Sequence, residues 1–266
     1  MKNLKLAVIG KDVSLSRSPK AHAFIAKQLG YGVTYDRLSV PQNEFEERID
    51  KIFAEYDGLN VTIPYKVEII KHLSKIVGDA LSFGAVNTVK TRDMSGYNTD
   101  GLGFLAMLND SGEDLSGKDV LILGAGGAGR SVAKKLLDIG SNVYIYNRTL
   151  EKARAVSEEF KGIKLVESLK KQPYFAIINA TGVGMHQTVG QSPVTEEFLE
   201  PCKVAIDLIY EPEQTEFMRI AKSLNKKVVG GGAMLFYQAY FAACIFADMT
   251  PDEHQAKELY LQYIKG

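Results

Sequence analysis

The strongest constraint on this chain is local. An apolar run, Val120-Leu121-Ile122-Leu123, passes directly into Gly124-Ala125-Gly126-Gly127-Ala128-Gly129, and an amphipathic stretch follows from Arg130. The apolar run reads as a buried strand and the stretch after the glycines as a helix. A strand that turns at once into a helix uses a first glycine for the tight turn. A second lets backbone N–H groups approach a ligand, and a third lets helix and strand pack closely. The helix then presents its first N–H groups and a partial positive charge to whatever sits on the turn. The pyrophosphate of a dinucleotide suits that arrangement, so Gly124, Ala125, Gly126, Gly127 and Ala128 are candidate cofactor-binding residues.

Downstream residues extend the unit. Strands are predicted over 119–123, 142–146, 175–178, 204–208 and 227–229. Between them lie a helix over 131–139, one carrying Ala153, Val156 and Phe160, and one with Phe217, Ile220, Ala221 and Leu224 on a single face. This is a nearly complete doubly wound α/β unit. The tip of its second strand chooses the dinucleotide, because an acidic residue there holds the ribose 2′-hydroxyl of NAD. Here the chain reads Tyr146-Asn147-Arg148-Thr149, then Lys152. Arg148 and Lys152 can pair with a 2′-phosphate, and Asn147 and Thr149 can hydrogen-bond it, which predicts NADP.

A similar alternation precedes this unit: strand 4–10, helix 19–29, strand 33–40, a helix with Phe45, Ile49, Ile52, Phe53 and Tyr56 on one face, and strand 58–63. It predicts a mainly parallel sheet covered by helices. The turn-rich Asp114-Leu115-Ser116-Gly117 marks the approach to the second unit. Residues 233–264 are helical in pattern, with Pro251-Asp252-Glu253 opening the last helix.

At 266 residues the chain can bury two modest cores without disulfide or metal. Its 32 basic and 32 acidic residues leave no net field to hold a nucleic acid. No stretch reaches the ~18 apolar residues of a membrane span, and the apolar start before Gly10 is too short for a signal peptide. Cys202 and Cys244 read as core residues of a cytoplasmic protein. His22, His72, His186 and His254 lack metal-ligand spacing, so no metal is expected.

The first half also carries polar clusters that a fold does not need. Ser14 and Ser16 alternate in a loop before a helix and can grip a carboxylate. Asn60 and Thr62 lie at the C-terminal end of the third strand and Lys66 in the first turn of the next helix, with Pro64 suited to open that helix, whose dipole would favour proton loss from Lys66. Asn87-Thr88 ends a further strand, and Asn98-Thr99-Asp100-Gly101 precedes a helix. Lys66 with Asp100 could hold a hydroxyl between donor and acceptor.

These clusters, together with Gly84-Ala85-Val86-Asn87-Thr88, Asn147-Arg148-Thr149, Asn179-Ala180-Thr181, Asp207-Leu208-Ile209-Tyr210 and 231–238, occur in order from residue 14 to 238. In this they resemble the successive signatures of the shikimate dehydrogenase family. The resemblance implies reversible NADPH-dependent reduction of 3-dehydroshikimate to shikimate, a step toward chorismate and the aromatic amino acids. It implies Lys66 and Asp100 as catalytic pair and Ser14 and Ser16 on the substrate carboxylate, with Thr62, Asn87, Asp100, Tyr210 and Gln238 on ring hydroxyls. Ala180, Thr181, Leu208 and Gly231 would lie at the nicotinamide. The implied architecture is a substrate domain of residues 1–101 and 238–266, its C-terminal helices packed back on it, and an NADP domain of 102–237, in a monomer or homodimer. Gly182, Leu208 and Gly78 stand where the family commonly has serine, methionine and an acidic residue. Two rivals remain: a quinate/shikimate dehydrogenase, disfavoured by Ser16 and the basic Arg148 and Lys152, and a non-catalytic NADP-binding regulator, which would not need Lys66 and Asp100.

Overall fold

The computed structural model describes residues 3–265 and divides into two compact units, one of residues up to 106 together with those from 236 on, the other Met107–Leu235. The first contains β1 (Asn3–Gly10), α1 (Ser18–Gln28), β2 (Gly32–Ser39), α2 (Phe45–Glu55), β3 (Gly58–Val61), β4 (Lys75–Ile76), α3 (Asp79–Phe83), β5 (Thr88–Lys90), β6 (Ser95–Tyr97) and the start of α4 (Asp100–Ser111). Its strands lie in the order β2-β1-β3-β5-β6-β4. β1 is parallel to β2 and β3, as the alternation predicts, but β5 runs antiparallel to both its neighbours. Only residues 91–94 separate β5 from β6, and so short a link permits a hairpin but not a parallel crossover.

On one face of this sheet α2 lays down Phe45, Ile49, Ile52 and Phe53 against Ala7, Ile9, Leu59, Val61 and Val89. Full burial of each such side chain contributes roughly 1.5–3 kcal/mol.

The second unit runs β7 (Asp119–Leu123), α5 (Gly127–Asp138), β8 (Asn142–Tyr146), α6 (Leu150–Glu159), β9 (Lys164–Leu165), β10 (Ala176–Asn179), α7 (Glu196–Leu199), β11 (Val204–Asp207), α8 (Glu216–Ser223) and β12 (Lys227–Gly230). All six strands are parallel, in the order β9-β8-β7-β10-β11-β12. Strand order reverses between β7 and β10, the switch point at which open α/β sheets take ligands. α5 begins at Gly127, four residues before the expected start, because a glycine costs little in the first turn of a helix that the strand–helix packing already fixes.

Two helices close the chain, α9 (Gly232–Ala247) and α10 (Glu253–Tyr263). Asp252 caps α10, its carboxylate accepting from the backbone N–H of His254 and Gln255. Phe236 and Tyr263 pack with Phe24 of α1, and Tyr260 packs on Phe236, so the tail from Phe236 on completes the first unit. Among the described residues no helix is long and apolar enough to cross a membrane, and no His, Cys, Asp and Glu group has the arrangement of a metal site.

Candidate active site

One rim of the first sheet gathers the polar clusters. Ile9 is paired with Val61, Asn60 with Thr88, and Thr88 with Tyr97. β1, β3 and β6 therefore end at this rim and β5 begins there. The residues beyond those ends are 11–17, 62–66, Asn87 and 98–100, which places Ser14, Ser16, Thr62, Lys66, Asn87 and Asp100 along one edge.

Lys66 and Asp100, 34 positions apart, meet there, with Nζ donating to Oδ2 at 2.6 Å. Their side chains are only 11% and 7% exposed, so solvent and salt screen the pair far less than a surface ion pair. The second carboxylate oxygen, Oδ1, accepts from Asn87 Nδ2 at 2.8 Å. The backbone N–H of Asp100 donates to Asn98 Oδ1 at 3.0 Å, and Asn98 Nδ2 donates to the Ala85 carbonyl at 2.9 Å. Lys66 is placed by its neighbour Tyr65, which stacks on Phe45 at 4.1 Å and donates its hydroxyl to the Val40 carbonyl at 2.5 Å.

Two local expectations are corrected. Residues 63–67 form turns that lead into a 3-10 helix, Glu68–His72, and the Ile63–Pro64 peptide is cis. Pro64 turns the chain instead of opening an α-helix, and the helix-dipole argument for Lys66 lapses; its chemistry rests on Asp100. Asn87 stands before the start of β5 instead of at a strand end, a consequence of the reversed strand.

Ser14 donates its hydroxyl to Asp12 Oδ1 at 2.7 Å, and Ser16 donates to Ser18 Oγ at 3.2 Å. Arg37 pins this loop by donating Nε and Nη2 to the Ser16 carbonyl at 2.9 and 2.8 Å. Thr62 and Gln238 are half-buried. Asn60 is buried and its amide is spent within the fold, on Tyr35, the Asn87 carbonyl and Thr88. Tyr210 lies in the second unit, in the loop after β11.

That unit has its own rim. Parallel register aligns Leu123 with Tyr146 and Asn179, Asn179 with Asp207, and Asp207 with Gly230. The next residue in each strand is Gly124, Asn147, Ala180, Leu208 or Gly231, all of them candidates. Gly124 has φ +112, a backbone region that side chains disfavour, and a Cβ there would lie 2.7 Å from the Ala180 carbonyl oxygen. A Cβ at Gly126 would meet nothing within 4 Å, leaving open space before the first turn of α5. That helix has neither a side-chain cap nor an acidic residue in its first turn, so its terminal N–H groups and positive end suit an anion. Gly127 and Ala128 supply the first of those N–H groups.

Asn147 joins the glycine turn to the basic tip, accepting from the Ala125 N–H at 3.0 Å and donating to the Thr149 carbonyl at 2.8 Å. Arg148 and Lys152 are exposed and pair with no carboxylate among the described residues. Thr181 donates to Asn179 Oδ1 at 2.6 Å, and Asn179 donates to Asp207 Oδ1 at 3.1 Å. Burial raises the Asp207 pKa, against hydrogen bonds from Thr215, the Ile209 N–H and Asn179 that stabilise its charge. The Gly182 carbonyl accepts from the Thr188 hydroxyl at 2.9 Å, so the loop after Thr181 is tied without the family's serine.

Gly129 carries the tightest contact, since a Cβ would fall 2.2 Å from the Gly124 carbonyl oxygen. Gly129→Ala is expected to destabilise the protein by about 1–3 kcal/mol, seen as a lower urea midpoint, because backbone must move to admit the methyl group. An unchanged midpoint would contradict this packing.

Sequence reasoning gives Thr88, Tyr35 and Asp207 no role of their own in these networks. Thr88 stood beside Asn87 in a quoted cluster. The usable signal was a pair of hydrogen-bonding side chains at the start of a strand that must be buried.

A sheet with a dinucleotide-type switch point and a sheltered lysine–carboxylate pair are the parts of a nucleotide-dependent α/β enzyme. The family model described as shikimate dehydrogenase substrate binding domain matches residues 8–89, and that described as shikimate / quinate 5-dehydrogenase matches 106–199. An NADP(+) shikimate dehydrogenase of Thermus thermophilus is 37% identical over 257 residues, 96% of this chain and 97% of the relative. A crystal structure of shikimate 5-dehydrogenase from Thermus thermophilus with NADP(H) and shikimate superposes with a TM-score of 0.86 at 36% identity, covering 98% of this chain and 99% of that one. Shikimate dehydrogenase 1 of Peptoclostridium difficile gives 0.90 at 33% identity, covering 98% and 97%. The chain belongs to the shikimate dehydrogenase family.

Proposed function

We propose that this chain catalyses the reversible NADPH-dependent reduction of 3-dehydroshikimate to shikimate. The observation that carries the reading is the sheltered Lys66–Asp100 pair, with Asn87 on the second carboxylate oxygen. When bound, NADPH supplies the hydride to the ring carbon that bears the reacting oxygen. As that carbonyl becomes an alcohol, its oxygen takes a proton from Lys66 Nζ, and in the reverse direction the amine takes the proton back. Asp100 keeps the amine in place and accepts from a ring hydroxyl.

Ser14 and Ser16 hold the substrate carboxylate, each hydroxyl turning about one bond away from its present acceptor. Thr62, Tyr210 and Gln238 receive ring hydroxyls, and Asn87 does so by giving up its link to the Thr99 hydroxyl. Asn60, its amide already engaged, supports Asn87 instead of touching the ring. The residues before 102 with those after 237 act as the substrate domain, and those between as the NADP domain.

For the cofactor, Gly124 to Ala128 and the first turn of α5 fit the pyrophosphate. Arg148, Lys152, Asn147 and Thr149 fit the 2′-phosphate, and Ala180, Thr181, Leu208 and Gly231 the nicotinamide end. Two cations at the tip of β8, with no carboxylate partner among the described residues, are the reason to prefer NADP over NAD.

Absorbance at the NADPH band is expected to rise with shikimate plus NADP and to stay low with quinate plus NAD; the opposite pattern would refute the assignment. Arg148→Ala should raise the KM for NADP by roughly 10–100-fold and leave that for NAD nearly unchanged, the cost of one charge-assisted hydrogen-bond partner of about 1.5–3 kcal/mol.

A further inference from the structure

A line of buried hydrogen bonds ends on Asp100. Tyr35 on β2 donates its hydroxyl to Asn60 Oδ1 at 2.7 Å, and Asn60 Nδ2 donates to Thr88 Oγ1 at 3.2 Å. The Thr88 hydroxyl donates to Asn87 Oδ1 at 2.9 Å, and Asn87 Nδ2 donates to Asp100 Oδ1 at 2.8 Å. Asn60, Asn87 and Thr88 are only 6%, 3% and 0% exposed, so water cannot replace the links among them, and Tyr35 at the outer end is half-buried.

Two groups that have no choice set the direction of the whole line. The backbone N–H of Thr99 can only donate, and it meets Asn87 Oδ1 at 2.9 Å; that amide's NH2 therefore faces Asp100. The Asn87 carbonyl can only accept, and it meets Asn60 Nδ2 at 3.3 Å; the oxygen of Asn60 therefore faces Tyr35. A hydroxyl has one proton to give. That of Thr88 goes to Asn87, leaving its lone pairs for Asn60, and that of Tyr35 goes to Asn60. Reversing any link would set donor against donor or acceptor against acceptor inside the protein, where no water compensates.

We propose that Tyr35, Asn60 and Thr88 form a positioning relay that fixes the Asp100 carboxylate through Asn87. Hydrogen bonds aligned head to tail polarise one another, so the hydroxyl of Tyr35 strengthens the fourth bond of the line, from Asn87 to Asp100. His22 steadies the outer end, its ring stacked on Tyr35 at 4.7 Å and 24°. None of the three relay residues is assigned a contact with the reacting atoms; they act through Asn87 and Asp100. The proposal rests on the reading of Lys66 and Asp100 as the reacting pair.

Thr88→Val keeps the shape of the side chain and removes both of its hydrogen bonds. It is expected to lower kcat with shikimate and NADP about 10-fold with KM for either ligand within about twofold, and Thr88→Ser should restore kcat. Tyr35→Phe should lower kcat about threefold in the native background and cause no further loss in the Thr88→Val background. Equal proportional losses in both backgrounds, or failure of serine to rescue, would overturn the relay. A readout independent of turnover is the proton resonance of the Asn87 side-chain amide, expected to shift in Tyr35→Phe. If that resonance does not move, the relay is wrong whatever the activity. If it moves while the native protein is silent toward shikimate and NADP, the relay stands and the assigned reaction falls.

Discussion

Lys66→Met is expected to cut kcat for shikimate oxidation about 1,000-fold while leaving the KM for shikimate within a few-fold of native. The methionine keeps most of the apolar stem and removes the proton carrier, and general acid–base catalysis by one positioned group is worth about 10²–10⁴-fold. Lys66→Arg separates charge from proton transfer. It preserves an ion pair with Asp100, but a guanidinium does not release its proton in this range of pH. Arginine should therefore fail to restore turnover. Steady-state kinetics on the two variants decide the matter: recovery with arginine would reduce Lys66 to a structural counter-ion of Asp100.

The second large effect concerns stability and pH. His22 on α1 is fully buried with neither ring nitrogen hydrogen-bonded, and burial pushes its imidazole pKa down to about 3. An unfolded chain titrates the same group near its ordinary value of 6.5. Between those two values the unfolded state holds more protons than the folded one, so stability falls as pH falls through that window and is fully retained above pH 6.5. The slope is about 1.4 kcal/mol per pH unit where the difference is one proton. His22→Phe preserves a ring against Tyr35 and removes the titration. Urea unfolding of both proteins at pH 7 and pH 5 is expected to show the native protein losing about 2 kcal/mol more than the variant over that interval. Parallel losses would mean that His22 takes up a proton inside the folded protein.

The parts of this molecule legible in its sequence are those fixed by near neighbours. The glycine turn after β7, the cap at Asp252 and the apolar face of α2 each depend on spacing within one element, and each stands where the residues indicate. The two-residue strands β4 and β9 were not legible, because pairing, not propensity, creates them. Pro64 misled for a similar reason. A proline after a strand can open a helix or turn the chain, and the choice is made by what Tyr65 packs against.

The candidate site divides along the same line. Lys66 and Asp100 were marked by residue type and by the resemblance, yet their meeting is a property of sheet order. Asn60 shows the opposite case: its type and place suggested a ligand contact, and its geometry instead commits the amide to Tyr35 and Thr88. Thr88 was in plain view, but its value lies in donating one proton while receiving another. No pattern along the chain records that.

The reversed β5 carries a further implication. It divides the labour of the first sheet between its opposite borders, one holding the chemistry and the other the hairpin at 91–94. That hairpin is itself moored, with Thr91 donating to the Tyr56 and Asp57 carbonyls and Met94 packed on the core, so the far border holds β5 and β6 at the spacing from which Asn87 and Asp100 project.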